Sequence, residues 1–169
     1  MKRIIYHSPF GPLVLIAHTG KIVYCNWDED DCRNKESKVL QKVNYNEECD
    51  GDMCLLNIAV AQLDEYFSGS RKEFEIPLYL YGTDFQKNIW NKMKKISYGK
   101  TITYGQLGKM CGGENFARAV ASACGANPLA ILVPCHRVVG IGKWSGGYTG
   151  GVDKKIKLLE LEKPEDSGS

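Results

Sequence analysis

No run of 18 apolar residues occurs anywhere in the 169-residue chain, so no transmembrane helix is expected. The opening stretch, Met1-Lys2-Arg3-Ile4-Ile5-Tyr6-His7, lacks the long apolar core of a secretion signal. Together these absences lead to the expectation of a cytoplasmic protein (nuclear in a eukaryote) that keeps away from membranes. No C-x-x-C pair is present, and the seven cysteines are an odd number at irregular spacing, which argues against a disulfide framework. In a reducing compartment most of them are expected to be small buried apolar residues. Cys25, Cys32, Cys49 and Cys54, with His7 or His18, have the right chemistry for zinc, but their spacing is not that of a finger. No metal and no cofactor is expected.

Net charge is also scarce, at +2, but it is unevenly spread. Residues 1–82 hold 9 Lys+Arg against 13 Asp+Glu, a net of −4, and residues 83–169 hold 13 against 7, a net of +6. A positive half suits a polyanionic partner acting on that half.

The chain is long enough for one domain or two small ones, and at 43% hydrophobic it can bury a core. Ile4–Tyr6, Leu13–Ala17 and Ile22–Trp27 read as strands separated by turn residues, an antiparallel meander. Residues 28–52 are polar and acidic, a loop with some helix. Met53–Phe67 carries Leu55, Ile58, Ala59, Leu63 and Tyr66 at helical spacing and ends at Ser68-Gly69. Phe74–Pro77 reads as a further strand, and Tyr81-Gly82 as a linker. Beyond it the pattern is helical. Thr83-x-x-Gln86 and Thr103-x-x-Gln106 are capping-box signals. The first opens a helix with Phe85, Ile89, Met93 and Ile96 on one face. The second opens a short helix that stops at Gly112-Gly113. A third helix, about 115–126, ends before Pro128, because a proline pushes the residue before it out of the α region. Two short helices about a glycine turn form a helix-turn-helix pattern. Ala130–Val133 reads as extended, Gly140–Gly151 as a glycine-rich loop, and Val152–Glu162 as a last helix with Val152, Ile156 and Leu159 inward. Residues 164–169 are expected to be a disordered tail. The expectation is therefore an α+β protein, with a scaffold domain at 1–82 and a second domain at 83–163.

The segment Pro134-Cys135-His136-Arg137-Val138 stands out. Only a thiolate is a strong sulfur nucleophile, and a nearby imidazole helps make one. Glu162 offers a carboxylate to orient that imidazole, the order of roles found in nucleophile–base–orienter triads.

With its flanks, Asn127-Pro128 before it and Tyr148-Thr149-Gly150-Gly151 and Leu158-Leu159-x-x-Glu162 after it, this segment resembles the O6-alkylguanine-DNA alkyltransferases, or methylated-DNA–protein-cysteine methyltransferases. Ser8-Pro9-Phe10-Gly11-Pro12-Leu13 resembles the start of that family's first domain, and Leu63–Gly69 and Gly82–Gln86 resemble its middle. The resemblance implies a ribonuclease H-like antiparallel sheet followed by a helical domain with a helix-turn-helix of winged-helix type. It implies a monomer that repairs double-stranded DNA without a cofactor. An alkyl group moves once, irreversibly, from O6 of guanine, and from O4 of thymine, to Cys135.

By the same resemblance, His136 and Glu162 form a Glu–His–water–Cys relay. Tyr104 contacts the base and helps protonate it. Asn127 braces the helices and the cysteine loop. Arg118 is the finger that fills the stack when the base is flipped out through the minor groove. Tyr148 walls the pocket, the Thr149 N–H faces O6, and the Val138 and Cys135 carbonyls receive the exocyclic amine. Arg137 joins the substrate and DNA contacts. Lys87, Lys92, Lys94, Lys95, Lys100 and Lys109 add phosphate attraction. The chain departs from the family pattern at Gly105, Gly113 and Phe116, where relatives often have glutamine, asparagine and smaller residues, respectively.

Two other classes fit parts of the sequence. A DNA-binding module without chemistry, like the alkyltransferase-like proteins, lacks the nucleophilic cysteine that is present here. A cysteine hydrolase needs an oxyanion hole and an acyl pocket, and the basic half and Arg118 do not suit it.

Overall fold

The computed structural model describes residues 1–43, 49–113, 116–141, 147–148 and 150–164. The meander forms as β1 (Lys2–Ser8), β2 (Gly11–His18) and β3 (Lys21–Trp27), antiparallel in the order β1-β2-β3. Thr19 and Gly20 both have positive φ, as a two-residue hairpin turn matching the strand twist requires. Leu13, Leu15 and Cys25 enter the main core, while Val14, Ile16, Val23 and Tyr24 point to the other face, which Val39 of α1 (Asp30–Leu40) covers. α2 (Gly51–Phe67) packs on the main-core face. Its Ile58, expected inward, is 49% exposed.

Phe74–Pro77 is not a strand. A single parallel bridge forms at Leu78, just past it, where Ile22 N–H donates to the Pro77 carbonyl (2.9 Å) and Tyr79 N–H to the Ile22 carbonyl (3.0 Å). Proline has no N–H to give a ladder, so it serves here only as an acceptor.

In the second half, both threonine capping boxes form, at the starts of α3 (Asp84–Met93) and α4 (Tyr104–Met110). Ile89, Trp90 and Met93 of α3 are buried, whereas Phe85 turns outward onto the ring of Phe116. α5 (Ala117–Gly125) follows α4 after Gly112, which has positive φ. The helix-turn-helix is tied to α3 by the Trp90 indole N–H, which donates to the Ala123 carbonyl (2.8 Å). Residue 115, the first of the expected third helix, lies outside the described residues with its neighbour 114, as do 142–146 and 149 of the expected glycine-rich loop and 165–169 of the expected tail. A short parallel pair, β4 (Ile102–Thr103) with β5 (Val138–Val139), joins the start of α4 to the Cys135 segment. The last helix is α6 (Val152–Leu161). Its inward face is Lys155, Leu158 and Leu159 rather than Val152, Ile156 and Leu159, and Val152 is 45% exposed.

Ala130–Val133 is a tight turn rather than an extended run. Leu132 N–H donates to the Ala130 carbonyl (2.8 Å) and Val133 N–H to the Leu129 carbonyl (2.8 Å). Ile131 has φ +70°, a left-handed conformation costly for a β-branched residue. Among the described residues no helix is long and apolar enough to cross a membrane.

Candidate active site

Cys135–Arg137 is a single 3₁₀ turn entered from Pro134, and all three residues are buried. The loop before it is built on Asn127, which is 1% exposed. The Asn127 side-chain amide donates to the carbonyls of Val133 (2.8 Å) and Leu129 (3.4 Å), and its oxygen accepts the Leu129 N–H (3.0 Å). The far side of the loop is stitched to β3 of the first half. Cys25 N–H donates to the Pro128 carbonyl (2.9 Å), and Ala130 N–H donates to the Cys25 carbonyl (2.7 Å). The Asn26 amide reaches the Asn127 carbonyl (3.4 Å).

The two residues that follow Cys135 join Glu162 in a buried polar cluster. His136 Nε2 is 2.9 and 3.0 Å from the two Glu162 oxygens, with both side chains almost fully buried. That contact leaves His136 Nδ1 as the ring's other polar atom, and it meets no partner among the described residues. Burial pushes the Cys135 thiol above its ordinary pKa, against the pull of Asn127, Lys35 and Lys155. Burial also lowers the imidazole pKa of His136 despite Glu162. Burial alone would raise Glu162, but hydrogen bonds from His136 and Arg137 hold it below the usual carboxylate range. These directions favour a neutral thiol, a neutral imidazole and an ionised carboxylate at neutral pH.

Arg137, expected at the substrate and DNA, points inward. Its Nε and Nη2 donate to Glu162 (2.8 and 2.6 Å), and Nη1 donates to the Ile96 carbonyl (2.7 Å). Arg137 thus joins His136 in supplying the partners that a buried carboxylate needs.

Tyr104 opens α4, and burial raises its hydroxyl to about 12. Beside it is a residue that sequence reasoning missed. Lys155 is 1% exposed, and its ammonium donates to the Val138 carbonyl (2.8 Å) and to the Tyr104 hydroxyl (3.5 Å). In the sequence, Lys154-Lys155 looks like a solvated pair, and nothing in its periodicity marks the second lysine as buried. The Val138 and Cys135 carbonyls each accept one internal bond, from Lys155 and from Val138 N–H, and each keeps a second lone pair.

Trp27 of β3 was also missed. Its indole N–H donates to the Tyr148 hydroxyl (3.1 Å). Its ring lies so close to Gly150 that a Cβ there would be 2.1 Å from it. Lys154 holds the same loop through the Gly150 carbonyl (3.0 Å) and pairs with Glu29. Thr149 lies outside the described residues.

Arg118 is exposed in the first turn of α5. Two of the departures belong together. A Cβ on Gly113 would be 2.1 Å from the ring of Phe116, so a side chain at 113 would force that exposed ring to move. At Gly105 a Cβ meets nothing closer than 3.9 Å, and nothing in the structure explains the glycine. Of the cysteines considered for zinc, Cys25 and Cys32 are buried and Cys54 is exposed. No group of three or more potential ligands occurs among the described residues.

A helix-turn-helix joined to a thiol that is backed by a buried imidazole and carboxylate defines a narrow class of protein. Residues 1–80 match the ribonuclease-like domain of 6-O-methylguanine DNA methyltransferase, and residues 84–164 match the DNA binding domain of the same family. A methylated-DNA–protein-cysteine methyltransferase of Methanosarcina acetivorans is 40% identical over 96% of this chain and 98% of its own. One of Mycobacterium leprae is 41% identical over 92% of this chain and 88% of its own. The crystal structure of the Mycobacterium tuberculosis O6-methylguanine methyltransferase superposes with a TM-score of 0.80 at 38% identity, over 97% of this chain and 95% of that one. The Mycobacterium tuberculosis protein solved in complex with DNA superposes at 0.77 and 38% identity, over 96% and 94% of the two chains. The chain belongs to the 6-O-methylguanine DNA methyltransferase family.

Proposed function

We propose that this chain repairs DNA by moving an alkyl group from O6 of guanine, or O4 of thymine, to its own Cys135. The observation that carries the reading is the buried His136–Glu162 contact of 2.9 Å, made by the residue that follows Cys135 in its 3₁₀ turn.

His136 Nδ1 takes the thiol proton through a water, and Glu162 stabilises the imidazolium that forms. The sulfur attacks the alkyl carbon in line as the carbon–O6 bond breaks, and the bond's electron pair goes to the guanine. Tyr104, still protonated at neutral pH, donates a hydrogen bond or proton to the leaving base. Lys155 holds that hydroxyl and the Val138 carbonyl in place. Overall, the alkyl group replaces the thiol hydrogen, guanine gains one proton, and the proton taken up by His136 passes through solvent to restore a Tyr104 that has given up its own. No second nucleophile cleaves the thioether, so each molecule acts once. Arg137 serves from behind by keeping Glu162 ionised.

The target base is reached by flipping. α5 sits in the minor groove, where its small residues permit close approach, and Arg118 fills the gap left in the stack. The protein acts as a monomer. Residues 1–82 and 83–163 are its scaffold and reactive domains.

The test is intact mass after mixing with a duplex carrying O6-methylguanine. One methyl per molecule on the wild type and none on Cys135→Ser is the expected result. Retained lesion binding with no mass change would replace this reading with that of a binding module.

A further inference from the structure

We infer that α1, in the acidic half, forms a second, cationic wall of the DNA interface, where Lys38 and Lys42, with Lys35 beneath them, hold the sugar-phosphate backbone of the duplex seated on α5. The inference rests on the DNA-repair reading above and extends its interface to the first half of the chain.

A groove of about 390 Å³ lies between α1 and the end of α5, lined by Lys35, Lys38 and Lys42 on one side and by Ser122, Gly125 and Ala126 on the other. Lys35 and Lys38 fall at i and i+3 of α1, about 60° apart at 100° per residue, and Lys42 follows in the turn after the helix and lines the same groove. Lys38 and Lys42 are exposed and Lys35 is half-buried. Two acidic side chains of this helix are committed to arginines instead. Glu36 pairs with Arg3 (2.7 Å) and Asp30 with Arg33 (3.0 Å). The facing wall offers the groove a hydroxyl and small apolar residues, and no charge.

The groove continues the proposed DNA-reading face. Arg118, Ser122 and Gly125 lie on one side of α5 within about 60°, and the axial distance from the first to the last is about 10 Å. All three are exposed. A duplex placed against Arg118 and followed along α5 therefore enters the groove and meets the lysines. Point-charge ammonium groups on flexible stems suit phosphates spaced along a strand, with no base contact. This role also accounts for a cluster of lysines on one face in a half whose net charge is −4.

The experiment compares wild type, Lys38→Ala/Lys42→Ala and Arg118→Ala. Binding to a duplex that spans both helices is titrated with salt. In parallel, transfer from the free base O6-benzylguanine, which needs no phosphate contact, is followed by intact mass. In the double lysine variant, the slope of log affinity against log salt should become shallower by about 2. Weakening should be uniform across duplex sequences, and transfer from the free base should stay at the wild-type rate. An unchanged slope beside normal wild-type transfer removes the α1 wall alone. Equal loss of transfer from the free base also overturns it, because the lysines would then act through the fold. A wild type that neither binds the duplex nor gains mass removes the repair reading and this inference together.

Discussion

The two halves differ in what they show and in what they supply. The second half holds the Cys-His-Arg-Val segment, both helices of the helix-turn-helix and a net charge of +6, and the first holds a net of −4 and no readable chemistry. Yet the reactive loop is built across both. Cys25 and Asn26 hold its backbone, and Trp27 holds Tyr148 and crowds Gly150. One strand of the plain half thus fixes the geometry of the chemical half. Chemistry concentrates where residue types are unusual, whereas positioning is shared by whatever packs against it.

The largest effect expected from breaking this arrangement lies in the second half. Glu162→Gln leaves Arg137, 7% exposed, without its carboxylate. Uncompensated buried charges cost about 3–5 kcal/mol. The thermal midpoint should drop sharply, and alkyl transfer should be lost even at temperatures where the variant is folded. A variant with wild-type stability would mean that Arg137 finds water or another partner, and that Glu162 is not the counter-charge the site depends on.

A smaller effect tests the first half. Trp27→Phe removes the donor to Tyr148 and leaves a gap beside Gly150. The cost should be about 2 kcal/mol, combining an unmade hydrogen bond with lost packing. Transfer should slow, while duplex affinity and its salt dependence stay as in wild type. If affinity falls and the transfer rate from bound lesion does not, Trp27 belongs with the DNA surface rather than with the pocket.

How much is legible in the sequence follows the same division. The meander, the two capping boxes and the Pro134–Val138 segment announce themselves through local pattern. Glu162 stands out only through its place in a resemblance, and the structure puts it 2.9 Å from His136. Lys155, Trp27 and Asn26 carry no signal, because their roles arise from contacts between elements far apart in sequence. The inward turn of Arg137 is hidden for a related reason. A cation next to a proposed DNA site reads as a phosphate contact until the buried carboxylate beside it is seen. The extended reading of Ala130–Val133 fails in the same way. Four apolar residues fit strand, helix or turn equally, and only the fold selects a left-handed Ile131.

The smallest effect is a pH dependence set by the second half. Burial holds the folded His136 below its ordinary value, near 6.5 when unfolded. Between those two values the unfolded chain binds the proton and the folded chain does not. Stability must therefore fall as pH drops from about 6.5 towards the folded value, by at most about 1.4 kcal/mol per pH unit. Glu162, also lowered in the folded state, acts in the same direction but in a separate window, below about 4.5. Thermal midpoints measured on either side of pH 6.5 should show the first decline in wild type and a flatter curve in His136→Gln, with the acid limb below 4.5 kept in both. An equal decline in the two proteins would mean that folding leaves the histidine's pKa unshifted, and a wild type that gains stability relative to His136→Gln as pH falls towards 6.5 would mean that the histidine is already protonated in its pocket at neutral pH. The site would then rest as a charged imidazolium–carboxylate pair, and the thiol would have to lose its proton elsewhere.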